Sequence, residues 1–443
     1  MKKIISLLAA GLMFTGLYAQ KKSASPIINS DKTVTFKLKA KHAEEVLLKG
    51  SFVPKPLPIK TPAGVWGKDG AFQMYKRNGV WTYTTKPLES EIYTYYFEVD
   101  GKRIVDTHNP DTIRDINNYL NRFVVEGGIA DDYMPHDVPH GNIQAVWYDS
   151  SISWSPRRRM IIYTPPSYDP NGEPMPVLYL LHGSGGDEKS WLRLGKAAEI
   201  LDNLISQGRC VPMIVVMPNG LADRAATPGE DPYSDEPATG NSVESMLGKT
   251  EKAFVPDIVT YVDAHYNTIK DKHHRAIAGF SLGGLHTLYI SVNNPDVFDY
   301  VGLFSAQTTN ALNDKRIDNA EKIAQGIGSV ASILSMAKKS KKGEKVGKTA
   351  EKISRFTTGI NDGDLSIYDN LDEKLKKQFA TPPALYYIAL GSDDFVKKLN
   401  DDFRLKLIDG GYKYVYRETD GGHTWENWRK YLVDFLPRLF DKQ

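Results

Sequence analysis

Short runs of alternating apolar and polar side chains fill the hundred residues that follow position 25. Val80–Thr84 alternates with a period of two and directly follows the turn pair Asn78-Gly79. Residues 93–99 form a longer run that ends at a second turn pair, Asp100-Gly101. Short strands separated by turns of this kind are typical of antiparallel sheets. The pattern predicts a small all-β, immunoglobulin-like sandwich over residues 25–126.

The pattern changes after residues 127–140, which contain two glycines and two prolines and are predicted to be a linker. Beyond them, near-continuous apolar runs alternate with helical stretches, as in a sheet covered by helices on both faces. The predicted strands lie at 160–163, 177–181, 213–217, 276–279, 301–304 and 385–390, and the predicted helices at 197–206, 254–265 and 428–440. The sequence therefore predicts a doubly wound α/β domain over residues 141–443, with an insertion around 308–380 that is long for one connection.

The N-terminus has the features of a secretory signal. Lys2 and Lys3 precede an apolar stretch, residues 4–18, that ends at the small residue Ala19. This stretch is shorter than the roughly 20 residues that span a bilayer. We expect residues 1–19 to be a signal peptide cleaved near Ala19, and the protein to be secreted or periplasmic.

Charge and composition narrow the possible partners. The formal net charge is +2 at pH 7 and becomes zero once Lys2 and Lys3 are removed. A neutral chain does not favour nucleic acid or an anionic membrane as partner. Cys210 is the only cysteine, which excludes an intramolecular disulfide, and no histidine pair has the spacing of metal ligands. We expect no metal and no cofactor.

The segment 276–284 joins an apolar strand to a helical pattern through Gly279-Phe280-Ser281-Leu282-Gly283, a Gly-x-Ser-x-Gly motif. In such a strand–turn–helix unit the serine lies at a strained turn and the flanking glycines allow the strand and helix to approach closely. The helix begins beside the serine, so the Leu282 N–H is placed to donate to an oxyanion. We interpret Ser281 as the nucleophile.

A nucleophilic serine needs a base and an acid that orients it. His423 follows the run at 414–416 on a loop that contains Gly421-Gly422, and we predict that it is the base. The strand at 385–390 is followed by Asp393 and Asp394, and spacing alone leaves the choice between them open. The chain order serine, aspartate, histidine is that of α/β-hydrolases.

A glycine-rich loop after the strand at 177–181, residues 183–186, is predicted to supply the second oxyanion donor. Which N–H of the loop donates, that of Ser184 or of a neighbouring glycine, stays open. Our assignment is Ser184.

Several motifs together resemble one family. Residues 176–183 with Trp191 after them, Met217-Pro218-Asn219-Gly220, residues 278–284 and residues 421–425 are similar to carbohydrate esterase family one, within the α/β-hydrolases. The resemblance implies an α/β-hydrolase fold, selects Asp394 as the acid, and suggests that Gly183, Trp191 and Trp425 bind substrate.

The N-terminal segment resembles the early-set domain related to glycogen-binding modules, through Gly50-Ser51-Phe52 and the hairpin at 96–101. Glucan-binding members carry a tryptophan just after the phenylalanine of the first motif, whereas this chain has Val53, so no starch site is carried over. We expect the aromatic residues Trp66, Trp81, Tyr83 and Tyr95 to be structural rather than a sugar platform.

We therefore expect a secreted serine esterase that removes feruloyl groups from plant xylan. The alternatives are an acetylxylan esterase, a siderophore trilactone esterase, a non-catalytic carbohydrate-binding protein and a serine peptidase. A cluster of arginines at the cleft would favour the anionic siderophore. We further hypothesise that the insertion around 308–380 covers the acyl pocket.

Overall fold

The computed structural model describes residues 25–54, 59–61, 64–66, 70–116, 118–152, 155–231, 246–308 and 366–440. The predicted signal peptide, residues 1–19, and the larger part of the predicted insertion, residues 309–365, lie outside the described residues.

The N-terminal domain is a sandwich of two antiparallel sheets. Its strands are β1 Ile27–Ile28, β2 Val34–Lys39, β3 Val46–Gly50, β4 Ile59–Thr61, β5 Gly64–Trp66, β6 Phe72–Gln73, β7 Tyr75–Arg77, β8 Val80–Thr84, β9 Glu91–Val99, β10 Lys102–Ile104, β11 Thr112–Asp115 and β12 Asn118–Val125. One sheet has the order β1-β2-β8-β7 and the other β11-β12-β9-β3-β6, with β10 paired to β9 and with β4 and β5 forming a separate hairpin. This is the predicted all-β domain.

Aromatic side chains form the core of the sandwich. Phe36 packs edge-on against Tyr95 and Phe123, and Trp81 and Tyr95 are both buried. The expectation that these two aromatic residues are structural is confirmed. The side chain of Trp66 lies outside the described residues.

The α/β domain is built on one eight-stranded sheet with the order β13-β14-β16-β15-β17-β18-β19-β20. The strands are β13 Asn142–Asp149, β14 Arg157–Thr164, β15 Val177–Leu181, β16 Ile214–Pro218, β17 Arg275–Phe280, β18 Tyr300–Phe304, β19 Leu385–Gly391 and β20 Val415–Thr419. β14 pairs antiparallel with both of its neighbours, β13 and β16. The six strands from β16 to β20 in the sheet order pair in parallel. The predicted α/β-hydrolase fold is confirmed. β13 was not predicted, because this edge strand is mostly exposed and carries no continuous apolar run.

Helices cover both faces of this sheet. They are α1 Ser190–Arg193, α2 Ala197–Ser206, α3 Lys249–Ala253, α4 Thr260–His265, α5 Leu282–Asn293, α6 Leu371–Gln378, α7 Lys397–Asp409 and α8 Trp425–Phe435, with a π-helix at Phe254–Val259 between α3 and α4. Two large apolar clusters, one on each face, form the core. Helix α8 begins three residues before the predicted start at Trp428. No helix in the described ranges is long and apolar enough to cross a membrane.

The two domains are joined by buried polar contacts. Arg429 on α8 donates to Glu91 on β9 at 2.9 Å and to the carbonyl oxygens of Ile92 and Leu194 at 2.9 and 2.8 Å. In the connection between the domains, Ile129–Tyr133 forms a 3₁₀ helix whose Tyr133 side chain is fully buried. The sandwich is therefore packed on the α/β domain at the helix that follows His423.

Candidate active site

The nucleophile candidate lies between β17 and α5. Ser281 has a φ of 54° and a ψ of −117°, a strained conformation for a residue other than glycine. Its N–H donates to Phe304 O at 3.0 Å, and its carbonyl accepts from Gln307 N at 3.2 Å. These two bonds fix the turn against the end of β18.

Glycines permit this geometry. A Cβ on Gly279 would lie 2.4 Å from Gly283 O, and one on Gly283 would lie 2.5 Å from His182 O. Both distances are shorter than any ordinary carbon–oxygen contact, so the strand, the helix and the loop after β15 meet only because these positions lack side chains. The Gly-x-Ser-x-Gly motif thus has the structural context that was predicted for it.

The acid and base candidates follow the next strands along the sheet. Because parallel strands end at the same edge, the segments after β17, β19 and β20 bring Ser281, Asp394 and His423 to one side of the domain. His423 Nδ1 lies 3.0 and 3.2 Å from the two Asp394 carboxylate oxygens. The Asp394 side chain is fully buried, whereas Asp393 is exposed. The structure therefore joins His423 to Asp394, as the family resemblance implied.

The electrostatics favour an ionised acid. Burial would raise the pKa of the Asp394 carboxyl, but the hydrogen bond and the charge of His423 outweigh it and hold that pKa below its ordinary value. The Val396 N–H also donates to Asp394 Oδ1 at 3.1 Å. A carboxylate at Nδ1 holds the imidazole in the tautomer that leaves Nε2 free to accept a proton. In the described ranges the hydrogen bonds of His423 all involve Nδ1.

The ring of His423 is held in place by two residues, Trp428 and Ser305, that were not predicted as site residues. The Trp428 indole meets the His423 ring edge-on, with centroids 5.0 Å apart, and stacks on Phe280 at 3.9 Å. Its N–H donates to the hydroxyl of Ser305 at 3.1 Å. Ser305 directly follows β18 at the catalytic edge, so inspecting the residues that follow each predicted strand could have identified it. Trp428 carries no such local signal, because its role depends on how α8 packs.

The oxyanion loop, residues 183–186, lies against the start of α5. β15 and β17 pair with Leu181 opposite Gly279, so the loop leaves the sheet beside the nucleophile turn. A Cβ on Gly183 would be 2.4 Å from the Phe280 ring. Leu282 is the first residue of α5, so its N–H is not used by the helix. The loop after β15 and the start of α5 thus both lie beside the Ser281 turn, where an oxyanion hole would form.

His182 holds this loop in place. Gly220 N–H donates to His182 Nε2 at 2.8 Å, so the proton lies on Nδ1, which donates to Gly183 O at 2.8 Å. Burial lowers the pKa of His182 to about 4. His182 is therefore a neutral structural residue at neutral pH.

One predicted substrate contact needs correction. Trp191 is 1% exposed, and its indole N–H donates to Leu181 O at 2.9 Å. It packs edge-on against Phe280 and Trp425, so substrate does not reach it and its role is packing beneath the site. Trp425 is half-buried, and its contact with substrate stays a prediction, as does that of Gly183. Among the described residues, no group of three or more His, Cys, Asp and Glu side chains is placed to hold a metal ion.

Fold and site together define an α/β-hydrolase with a serine nucleophile. The family model described as "Putative esterase" matches residues 151–439, more than half of the chain. The chain therefore belongs to that family, and the predicted enzyme class, a serine esterase, agrees with it.

Two similar xylanases are larger proteins than this chain. The endo-1,4-beta-xylanase/feruloyl esterase of Xylanibacter ruminicola is 32% identical over 295 residues, which cover 64% of this chain and 36% of that protein. Endo-1,4-beta-xylanase Y of Acetivibrio thermocellus is 25% identical over 291 residues, covering 63% of this chain and 21% of that protein. The match thus spans about a third or less of the length of these curated relatives.

One solved structure resembles this protein in fold across both domains. The enterobactin esterase of Shigella flexneri, crystallised in the presence of enterobactin, is 16% identical, with a TM-score of 0.56, and covers 91% of this chain and 92% of that one. At this identity the likeness concerns the fold alone. The relation of the N-terminal domain to glycogen-binding modules stays a prediction.

Proposed function

We propose that the protein is a serine esterase that releases ferulate from feruloylated plant xylan through an acyl-enzyme. The observation that carries the proposal is the Asp394–His423 pair at the same sheet edge as the strained Ser281. The feruloyl group is suggested by the name of the Xylanibacter ruminicola relative. No cofactor takes part.

In the first half-reaction, Ser281 Oγ attacks the ester carbonyl carbon while His423 Nε2 accepts the hydroxyl proton. The resulting oxyanion receives hydrogen bonds from the Leu282 N–H and from the oxyanion loop, for which we propose the Ser184 N–H. As the intermediate collapses, the carbon–oxygen bond to the sugar breaks and His423 gives its proton to the departing sugar oxygen.

In the second half-reaction, water replaces the sugar. His423 removes a proton from the water, which attacks the acyl carbon, and the proton then passes to Ser281 Oγ as ferulate leaves. Asp394 remains ionised throughout and stabilises the imidazolium that forms twice in each cycle.

A groove between the domains provides space for the sugar chain. It has a cavity volume of about 620 Å³ and includes Arg114, Tyr119, Arg122, Arg193 and Lys196 in its lining. Tyr119 is 62% exposed, and an exposed tyrosine ring is a common stacking surface for sugars. We propose that the xylan main chain lies in this groove.

A trilactone esterase is the second candidate, because the fold similarity to the enterobactin esterase covers both domains. Arginines do line the groove, which is the feature that would favour an anionic siderophore. However, they have acidic partners: Arg114 pairs with Asp187, Arg122 with Asp111 at 3.0 Å, and Arg193 lies 3.9 Å from Glu230. Glu230 also pairs with Lys189 and Arg159, so Arg114 and Arg122 are paired whereas Arg193 shares its carboxylate. Because two of the three arginines are paired, we favour a neutral polysaccharide as the ligand of the groove.

The test is a product analysis with three substrates. The intact protein and Ser281→Ala are incubated with feruloylated arabinoxylan, acetylated xylan and a catecholate trilactone, and the acids released are quantified by chromatography. Ferulate released only by the intact protein supports the proposal. Acetate alone points to an acetylxylan esterase and hydrolysed trilactone to the second candidate. If no acid appears, the proposed release of ferulate is wrong.

We also propose that residues 1–19 direct secretion and are removed. Expression of the whole chain in a bacterial host tests this, because the mass of the protein recovered outside the cytoplasm should correspond to a chain beginning at Gln20. A recovered protein that retains residues 1–19 contradicts it.

A further inference from the structure

We propose that the β11–β12 hairpin of the N-terminal sandwich holds the oxyanion loop in its catalytic position, and that Arg114 is a positioning residue for ester hydrolysis. The inference rests on the proposed function only in taking Ser281 as nucleophile and residues 183–186 as oxyanion loop. It makes a second domain part of the catalytic machinery.

The first contact is an ion pair between the domains. Arg114 Nη2 on β11 donates to Asp187 Oδ2, directly after the oxyanion loop, and the two side chains are 15% and 2% exposed. Asp187 in turn ties the loop to α1, because its Oδ1 accepts from Lys189 N and its own N–H donates to Ser190 Oγ, each at 2.9 Å. A buried carboxylate of this kind depends on its cation.

The second contact is the tip of the hairpin. Ile116 lies on Gly185, since a Cβ on Gly185 would be 2.7 Å from Ile116 Cγ2. Gly185 has a φ of 75° and Ile116 a φ of 54°, and a left-handed conformation is rare for a β-branched residue. Such strain persists only where the surroundings impose it. Here Arg114 Nη1 donates to Ile116 O at 2.6 Å, so one guanidinium holds both the tip and Asp187.

The hairpin is anchored in the sandwich and also contacts the end of α1. β12 pairs with β9 along five residues, and Arg122 on β12 donates to Arg193 O at the end of α1. The hairpin therefore contacts the oxyanion loop and the helix after it together. A shift of the hairpin would move the loop N–H groups away from the developing oxyanion.

This geometry predicts a particular kinetic effect. An oxyanion donor stabilises the transition state more than the bound ester, so misplacing it lowers kcat with little change in KM. Complete loss of one oxyanion donor costs about 10²- to 10³-fold in kcat. For a loosened loop we expect a loss of about 10- to 100-fold.

The experiment compares Arg114→Ala, Arg114→Lys and the matched control Arg77→Ala. Arg77 is exposed on β7, the edge strand of the other sheet of the sandwich. Each variant is assayed for kcat and KM with p-nitrophenyl acetate, for the labelling rate of Ser281 by a fluorophosphonate, and for binding of an aryl trifluoromethyl ketone, whose adduct oxygen occupies the oxyanion position. Urea unfolding is measured in parallel.

We expect Arg114→Ala to lower kcat, the labelling rate and affinity for the ketone by similar factors, with KM and binding of free ferulate unchanged. Arg114→Lys should recover part of the loss and Arg77→Ala should match the intact protein. Unchanged kcat in Arg114→Ala overturns the proposal, as does an equal loss of ferulate binding, which indicates general damage. Labelling does not depend on the natural acyl group, so failure of the feruloyl proposal is distinguishable from failure of this one.

Discussion

The ion pair between Arg429 and Glu91 allows a quantitative test of how the two domains are held together. Both residues are nearly inaccessible, at 2% and 3% exposure. The Arg429 guanidinium makes two hydrogen bonds to Glu91 Oε1, at 3.2 and 2.9 Å, and two more to backbone carbonyls. Burial raises the pKa of Glu91, and the charge of Arg429 opposes that rise. The Arg429 cation therefore reduces the cost of burying an ionised carboxylate in the interface.

Arg429→Met removes the cation and leaves the carboxylate behind. Breaking one partner of a buried pair costs about 3–5 kcal/mol, whereas replacing both partners is often close to neutral. We expect Arg429→Met to lower the free energy of unfolding by about 3–5 kcal/mol at pH 8, and Arg429→Met with Glu91→Gln to recover most of it. Without Arg429 the folded protein binds a proton on Glu91 more readily than the unfolded chain does. The penalty should therefore shrink as the pH falls from 8 to 6.

The measurement is urea unfolding followed by tryptophan fluorescence at both pH values. Arg438→Met is the matched control, because Arg438 pairs with Asp434 at 3.1 Å on the surface, where its side chain is 42% exposed. An exposed pair of this kind is worth about 0–1 kcal/mol. If Arg429→Met costs no more than Arg438→Met, or if the double variant is no more stable than Arg429→Met alone, the pair does not hold the interface as argued.

Three further predictions concern the site. Asp394→Asn should lower kcat by about 10⁴-fold, because an amide cannot stabilise the imidazolium, and Asp393→Asn should leave kcat unchanged; equal losses in p-nitrophenyl acetate hydrolysis would contradict the assignment. Gly283→Ala should lower kcat/KM by about 10²-fold, because the new Cβ would lie 2.5 Å from a carbonyl oxygen at the end of β15. The control Gly172→Ala, in an exposed turn, should leave kcat/KM unchanged in the same assay. The pKa of His182 in the folded protein is about 4, below its ordinary value, so between pH 7 and pH 4 the unfolded chain binds a proton there more readily than the folded protein does. This difference should lower the free energy of unfolding by about 3 kcal/mol over that range. Denaturant titrations across that range should show a shallower fall for His182→Asn, and an identical fall would show that His182 does not titrate this way.

Much of the site follows from the sequence because its parts are local. The glycines around Ser281, the position of His423 after a strand, and the glycine-rich loop each carry their chemistry within a few residues. The fold class followed from the near-continuous apolar runs, which require a sheet buried on both faces. The acid was different, since spacing alone left Asp393 and Asp394 open. The family resemblance selected Asp394, and the structure pairs the buried Asp394 with His423.

What the sequence could not predict depends on packing between distant segments. Trp191 follows a glycine-rich loop and looks exposed by position, yet its burial beneath Phe280 and Trp425 is decided by three segments that meet only in the fold. Trp428 and Ser305 likewise act through contacts across the sheet edge. Arg114 stands in a short strand with no motif around it, and its partner Asp187 is 73 residues away.

These distant contacts change how the N-terminal domain should be viewed. It contacts the α/β domain at the oxyanion loop, through Arg114 and Ile116, and also at α8, the helix that follows His423, through Glu91. One contact lies on the side of the site that would bind the oxyanion, and the other lies behind the base. A domain attached only to carry sugar would need neither contact, and a flexible tether would suffice. Both parts of the proposed site are supported from the same sandwich, as expected if the two domains form one catalytic unit.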